Sequence, residues 1–483
     1  MPVPAIRIRA LDQAPVNAEG ELVLYWMVAA RRTHHSYALD RALEWARELG
    51  LPLVVFEPLR VGYPHASDRF HQFVIDGMGD QAARCEAAGV TYLPYLEPTP
   101  GAGRGLLEAL AERAAVVVTD DYPSFFLPRM LEAASGRVGV RMEAVDGNGL
   151  IPLRLPDKEH VTARGFRRWS QGVLPTELAR PPRPDPFEER LDAAWAPPAS
   201  IRERWAFGRD VDLASLPVDH GVAATERGGA EAGRARWRRF VDEELARYAK
   251  DGNHPDEDAV SGISPWLHWG QLGAHELFDD VAAHAGWSLG DQAEKPNGKR
   301  EGWWRMSDSA ESFLEQLACW RELSYATAAW RPDHGSYAVL PAWAQKTLAE
   351  HADDPRPHLY SVAELEAAET HDRVWNAAQR QLVEEGRIHN YLRMLWGKKI
   401  LEWSPSPREA LARMIHLNDR WALDGRDPNS YSGITWVLGH FDRAWGPERP
   451  IYGKIRYMSS DNTVRKLRIR RYLARWVGET PTS

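Results

Sequence analysis

The run 21-ELVLYWMVAARRTHHSYALDRALEWARELGLPLVVFEPL-59 decides the first half of the fold. It opens on a nearly unbroken apolar stretch, Leu22–Ala30. It then enters 36-SYALDRALEWAREL-49, where apolar residues recur at helical spacing, and returns to the β-branched 51-LPLVVFEPL-59, closed by proline. The same alternation continues with a helix near 67–88, a strand in 90-VTYLPYLE-97, a helix near 104–113 and a strand in 115-AVVVTDD-121. A helix near 124–135 then leads to 139-GVRMEAVDG-147. Strands alternating with helices imply a mostly parallel sheet with right-handed crossovers. The turn after the first strand, 29-AARRTHH-35, holds no glycine, so it carries no dinucleotide fingerprint. A nucleotide-type ligand at the strand C-termini stays open.

Downstream the pattern changes. Residues 181–228 are rich in proline, glycine and charge, including 181-PPRPDP-186, and read as an interdomain connection. Beyond residue 229 the periodicity is almost wholly helical. One long segment is 308-DSAESFLEQLACWRELSYATAAW-330, where Asp308 and Glu311 have the spacing of a capping box. The expected organisation is an α/β domain over 1–150, a linker over 151–228 and an all-helical domain over 229–483.

Composition narrows the function without fixing it. Tryptophan, at 21, outnumbers tyrosine at 15 and phenylalanine at 12, a bias that serves flat aromatic ligands, nucleic-acid bases or electron transfer. Two distant cysteines, Cys85 and Cys319, form neither a disulfide framework nor a zinc site, so no metal is expected. No run approaches the ~20 apolar residues of a membrane span. These features point to a reducing, cytoplasmic setting and a protein that acts as a monomer, away from membranes. The net charge is −8, yet nine Lys/Arg and one acid fall between Arg449 and Arg475, a local patch able to hold phosphates.

The segment 387-RIHNYLRMLWGKKILEWSPSP-407 reads as a helix stopped at Ser404-Pro405. At ~100° per residue, Arg393, Trp396, Ile400 and Trp403 share one stripe. Taken alone, the tryptophans read as core filling. A buried arginine there needs an acid, and Asp419, Asp424 and Asp427 lie together in the turn-rich 418-NDRWALDGRDPNSY-431.

Those strings, with 375-WNAAQ-379, 396-WGKKILEW-403, 453-GKIRYM-458, 25-YWM-27, 261-SGISPWLHWGQ-271 and 319-CWREL-323, closely resemble the class II cyclobutane pyrimidine dimer photolyases, in the same order along nearly the full chain. The resemblance implies a Rossmann-like α/β antenna domain followed by a helical domain that holds FAD. It also implies light-driven repair of DNA containing pyrimidine dimers, by electron transfer to a flipped-out dimer. Carried over by position, Trp396, Trp375 and Trp403 match the proximal, middle and distal members of a tryptophan chain, with Trp403 near solvent. Arg393 and Asp424 match the ion pair beside the flavin ring, with Gly425 in the same turn, and Asn418 matches the amide facing flavin N5. Ser261, Gly262 and Ser264 resemble the phosphate-binding turn, and Asn390 a further FAD contact. Trp320 and Trp436 match residues flanking the dimer, Glu315 and Gln316 the pair that contacts it, and Lys454 and Arg456 the DNA-binding basic segment. An antenna chromophore, deazaflavin or folate, is left unassigned.

Some positions depart from the resembled pattern. Gln316 replaces the second carboxylate of a Glu-Glu pair, 321-RELSYAT-327 replaces Arg-Glu-Leu-x-x-Asn-Phe, His275-Glu276 replaces Gln-Arg, and Ser430 replaces the glycine after Gly-Arg-Asp-Pro-Asn. They are expected to cluster on the substrate side. A flavin photoreceptor that does not repair is the competing expectation, and a flavin-independent nucleic-acid binder a weaker third.

Overall fold

The computed structural model describes residues 2–191 and 194–478. They fall into two units that interleave along the chain. Met1–Asp157, Val173–Arg238 and Gly262–Gly290 form the first, and Lys158–Gly172, Arg239–Ser261 and Asp291–Ser483 the second.

In the first unit six strands form one sheet: β1 (Ile8–Ala10), β2 (Leu22–Trp26), β3 (Leu53–Leu59), β4 (Thr91–Leu96), β5 (Ala114–Asp120) and β6 (Met142–Val145), in the order β1-β6-β5-β2-β3-β4. The five strands expected from the sequence run parallel to their neighbours. β1 is an addition, a short edge strand antiparallel to β6 with too few apolar residues to stand out. Alternation of side chains along β2 builds two apolar layers. Val23 and Tyr25 pack with Leu39, Leu43, Val55 and Val118. Leu22, Leu24 and Trp26 pack with Phe56, Leu106, Leu110 and Val117. A strand covered on both faces reads as a continuous apolar run, which is why β2 was legible. The proline-rich segment contributes to the same layers: Phe187 is buried in the first and Trp205 in the second.

The glycine-free turn after β2 is held by Asp120. Its Oδ2 accepts the backbone N–H groups of Val28, Ala29 and Ala30 at 2.8, 2.7 and 3.0 Å, and its Oδ1 accepts the Tyr25 hydroxyl at 2.8 Å. A nest of N–H groups at the end of the first strand is where a dinucleotide fold seats phosphate. Here the protein's own carboxylate occupies it.

The second unit is helical. The long segment from residue 308 begins at Asp308, but its cap is Ser307, whose side chain accepts from the N–H of Ala310. Glu311 accepts instead from the N–H of Gly302 and Met306, so the expected Asp308–Glu311 box does not form. The preceding loop supplies partners that spacing along the helix could not reveal. Nor is the segment one uniform helix, because Gln316–Arg321 is a π-helical turn between Asp308–Glu315 and Glu322–Trp330. Among the described residues, no helix is long and apolar enough to cross a membrane, and no group of three or more His, Cys, Asp or Glu is placed to hold a metal ion.

Candidate active site

Four helices of the second unit, Arg373–Glu385, Asn390–Trp403, Pro407–Trp421 and Pro428–Val437, carry Trp375, Asn390, Arg393, Trp396, Trp403, Asn418 and Trp436. Three of their starts are marked in the sequence. Asp372 accepts from the N–H of Val374 and Trp375, Ser406 from Glu409 and Asp427 from Asn429, with Pro407 and Pro428 at the first helical positions. The helices close on one another at Gly397, where a β-carbon would lie 2.6 Å from Val437 Cγ2 and 3.1 Å from Met414 Sδ. Only glycine permits that approach.

Trp375 is the centre of the indole cluster. Its Nε1 donates to the Trp396 carbonyl at 3.0 Å, and its ring meets Trp403 edge-on with centroids 5.5 Å apart. Trp396 Nε1 donates in turn to Gln379 Oε1 at 2.8 Å. The expectation that Trp403 lies near solvent is not met, since it is 1% exposed. The chain around residues 360–371 covers it, with the rings of Tyr360 and His371 at 5.3 and 5.4 Å. Tyr360 and His371 share a 2.6 Å hydrogen bond, and His371 is exposed.

Arg393 pairs with Asp424, its Nη2 lying 3.1 and 3.3 Å from the two carboxylate oxygens. Hydrogen bonds account for the other two acids. Asp419 accepts from Asn418, the Arg426 N–H and the Tyr431 hydroxyl, while Asp427 accepts from Tyr325 and the Asn429 N–H. Gly425 packs so tightly under Asn418 that a β-carbon would sit 2.8 Å from the Asn418 carbonyl oxygen. Asn390 is the exposed first residue of its helix. Ser261 belongs to the second unit, whereas Gly262, at φ +63°, and Ser264, the exposed first residue of the short helix Ser264–His268, belong to the first.

One residue passed over by sequence reasoning stands out. Gln379 is fully buried and its Nε2 has no hydrogen-bond partner. An unpaired buried amide is costly, so this one is set for an acceptor from a ligand. The string 375-WNAAQ-379 contained it, but was read for its tryptophan.

On the other candidate face, the π turn separates Glu315 from Gln316. Glu315 is buried and held by Arg167 from both Nε, at 2.7 Å, and Nη2, while Gln316 is exposed. Such turns recur at functional sites because they shift side-chain register without ending the helix. Trp320, in the same turn, is partly exposed. Trp436 is partly exposed as well, with Lys398 Nζ 5.1 Å and the Arg456 guanidinium 5.4 Å from its ring centre. Arg456 also stacks on Trp445 at 4.1 Å and bonds Asp442, and Lys454 pairs with Glu448 at 3.0 Å. The basic segment is thus partly neutralised: Arg468 pairs with Asp251 and Arg475 with Glu385, while Lys466 and Arg470 are exposed. The positions that depart from the resembled pattern fall in both units. His275 meets the Tyr37 ring and Glu276 pairs with Arg234 in the first unit, and Ser430 bonds Asn418.

Lys398 is fully buried, its ammonium donating to the Val437 carbonyl at 2.5 Å. Burial pulls it down to about 7, against a raising influence from Asp442 and a lowering one from Arg456. Between that value and the ordinary lysine range, the unfolded chain holds a proton that the folded one has lost, so this group makes stability rise with pH. Guanidinium unfolding at pH 7 and 9 should show a smaller rise in Lys398→Met than in wild type. Equal rises would contradict the assignment.

No family model matches the chain. Over 97% of its length it superposes on a class III photolyase from Agrobacterium tumefaciens, covering 87% of that chain with a TM-score of 0.68 at 16% identity. A cryptochrome from Synechocystis sp. gives a TM-score of 0.62, also at 16% identity, over 95% of this chain and 89% of that one. The fold is that of the photolyases and cryptochromes. The chain is 33% identical to a deoxyribodipyrimidine photo-lyase of Methanothermobacter thermautotrophicus over 98% of both chains, and 32% identical to one of Potorous tridactylus over 95% of this chain and 82% of that one. One from Arabidopsis thaliana is 30% identical over 97% and 92%. The chain belongs to the deoxyribodipyrimidine photo-lyase family, and with it to the FAD-binding lyases. The second unit's donor set fits FAD: the unpaired Gln379 amide, the Arg393–Asp424 pair and the Asn418 carbonyl oxygen suit a ring edged with carbonyl and ring-nitrogen groups.

Proposed function

We propose that this protein splits cyclobutane pyrimidine dimers in DNA under blue light, in the manner of the class II enzymes. The observation that carries the reading is Trp375 in contact with both Trp396 and Trp403, within a unit that also presents Gln379, Arg393 and Asn418. FAD, when bound, supplies the light-excited electron that opens the cyclobutane ring and takes it back once both carbon–carbon bonds have broken. Gln379, Arg393, Asp424, Gly425 and Asn418 surround its ring, Asn390 adds a contact, and Ser261 takes its phosphates. Trp396, Trp375 and Trp403 relay electrons inward. Trp320 and Trp436 stack on the flipped dimer, where such faces contribute ~1–3 kcal/mol per base. Lys454 and Arg456 meet DNA phosphate, and Lys454, Arg456, Lys466 and Arg470, each exposed or partly so, set its salt dependence.

Gln316 separates repair from a flavin photoreceptor that shares the same relay. A primary amide donates without first binding a proton, so Gln316 can stabilise charge developing on a pyrimidine carbonyl at any working pH. In chemically prereduced protein, Gln316→Leu should lower the repair rate on the order of tenfold, the loss of one hydrogen bond to the developing charge. Gln316→Glu donates only when protonated, so its repair should fall as pH rises while wild type stays flat. If the wild type is inactive and Gln316→Glu repairs, the photoreceptor reading takes over.

A further inference from the structure

Ser430 stands where the resembled photolyase pattern has glycine, and its hydroxyl lies on Asn418. Asn418 Nδ2 donates to Ser430 Oγ at 2.7 Å and to Asp419 Oδ1 at 3.1 Å. All three side chains are buried, Asn418 at 4%, Asp419 at 5% and Ser430 at 8% exposure. A primary amide has two donor hydrogens and one acceptor oxygen, so both of its donors are used within the protein. Asp419 and Ser430 together fix which way round the amide lies. Asp419 Oδ1 also accepts the Arg426 N–H at 3.0 Å and its Oδ2 the Tyr431 hydroxyl at 2.8 Å. A reversed amide would set oxygen against that carboxylate. Ser430 and Tyr431 are neighbours on one helix, and they grip Asn418 and Asp419, neighbours on another. Among the described residues, Asn418 Oδ1 has no partner.

We propose that Ser430 is a positioning residue that makes Asn418 an acceptor-only contact, selecting a ligand that offers an N–H. This rests on the flavin reading, in which the ring nitrogen facing Asn418 carries a hydrogen only after reduction and protonation. With glycine at 430, one amide hydrogen is released and Asn418 regains the freedom to donate to the unprotonated nitrogen. With serine it does not. The hydroxyl therefore biases the site toward protonated, reduced flavin and against the oxidised form.

The test compares wild type with Ser430→Gly, Ser430→Ala and Ser430→Thr. For each, the FAD content per chain, the flavin midpoint potential and the absorbance of the one-electron-reduced flavin are measured, the last separating protonated from unprotonated forms. Ser430→Gly and Ser430→Ala should keep their FAD, show a lower potential, and lose about threefold to tenfold in the ratio of protonated to unprotonated form, the size of one hydrogen bond. Ser430→Thr, which keeps the hydroxyl, should match wild type. Equal ratios and potentials in wild type and Ser430→Ala, with full FAD in both, overturn the proposal. A wild-type protein that purifies without FAD and takes up none on incubation overturns the flavin reading instead, and this inference with it.

Discussion

Trp375→Phe should bind FAD at the wild-type level and fail to photoreduce it, the rate with an external thiol falling to background. Phenylalanine keeps most of the packing of this fully buried ring but is not oxidised at accessible potentials, and Trp375 is the indole that packs edge-on against Trp403 and donates to the Trp396 backbone carbonyl. The expected loss is therefore of function and not of flavin. Repair by chemically prereduced Trp375→Phe should persist, because that assay bypasses the relay. The readout is flavin absorbance under blue light with and without thiol. Photoreduction at the wild-type rate would show that electrons enter by another route.

Arg167→Met should cost about 3–5 kcal/mol of stability, because it removes the bidentate partner of a buried carboxylate and leaves it the exposed Arg300 at 3.9 Å. Arg167 and Glu315 side chains are each 8% exposed, and the guanidinium bonds both oxygens of Glu315 while also donating to the Gly298 carbonyl at 3.0 Å. A solvated pair would be worth no more than about 1 kcal/mol. Denaturant midpoints separate the two cases. The double variant Arg167→Met/Glu315→Gln should recover much of the loss, since no charge is then stranded, whereas a single-variant loss below about 1 kcal/mol would mean that water reaches the pair. Glu315 immediately precedes the π turn that starts at the exposed Gln316, so a wild-type fold with a loosened pair should also bind dimer-containing DNA more weakly.

What the sequence made legible follows from how each feature is encoded. β2, β3 and β5 were visible because strands buried on both faces are written as apolar runs, and the helix Tyr37–Leu49 because Ser36 caps its start and Gly50, at φ +66°, ends it. β1 was not, because an edge strand of three residues is held by its partner β6 and not by its own pattern. Arg393 could be seen to need an acid, but which of three carboxylates remained open until hydrogen bonds to Asn418, Tyr431, Tyr325 and backbone N–H groups accounted for Asp419 and Asp427. The burial of Trp403 depends on Tyr360 and His371, distant in sequence and unremarkable in composition. Gln379 was hidden for the same reason, and so was the contact of Ser430, whose departure from the resembled pattern was itself visible. One is defined by a donor left without a partner and the other by a hydroxyl facing an amide, and neither relation has a spacing to read.

Repair is read most directly by illuminating a dimer-containing oligonucleotide mixed with chemically prereduced, FAD-loaded protein. Dimers should disappear under blue light, persist in the dark, and be turned over many times per protein molecule. Full FAD occupancy with dimers left intact under illumination would contradict the repair reading.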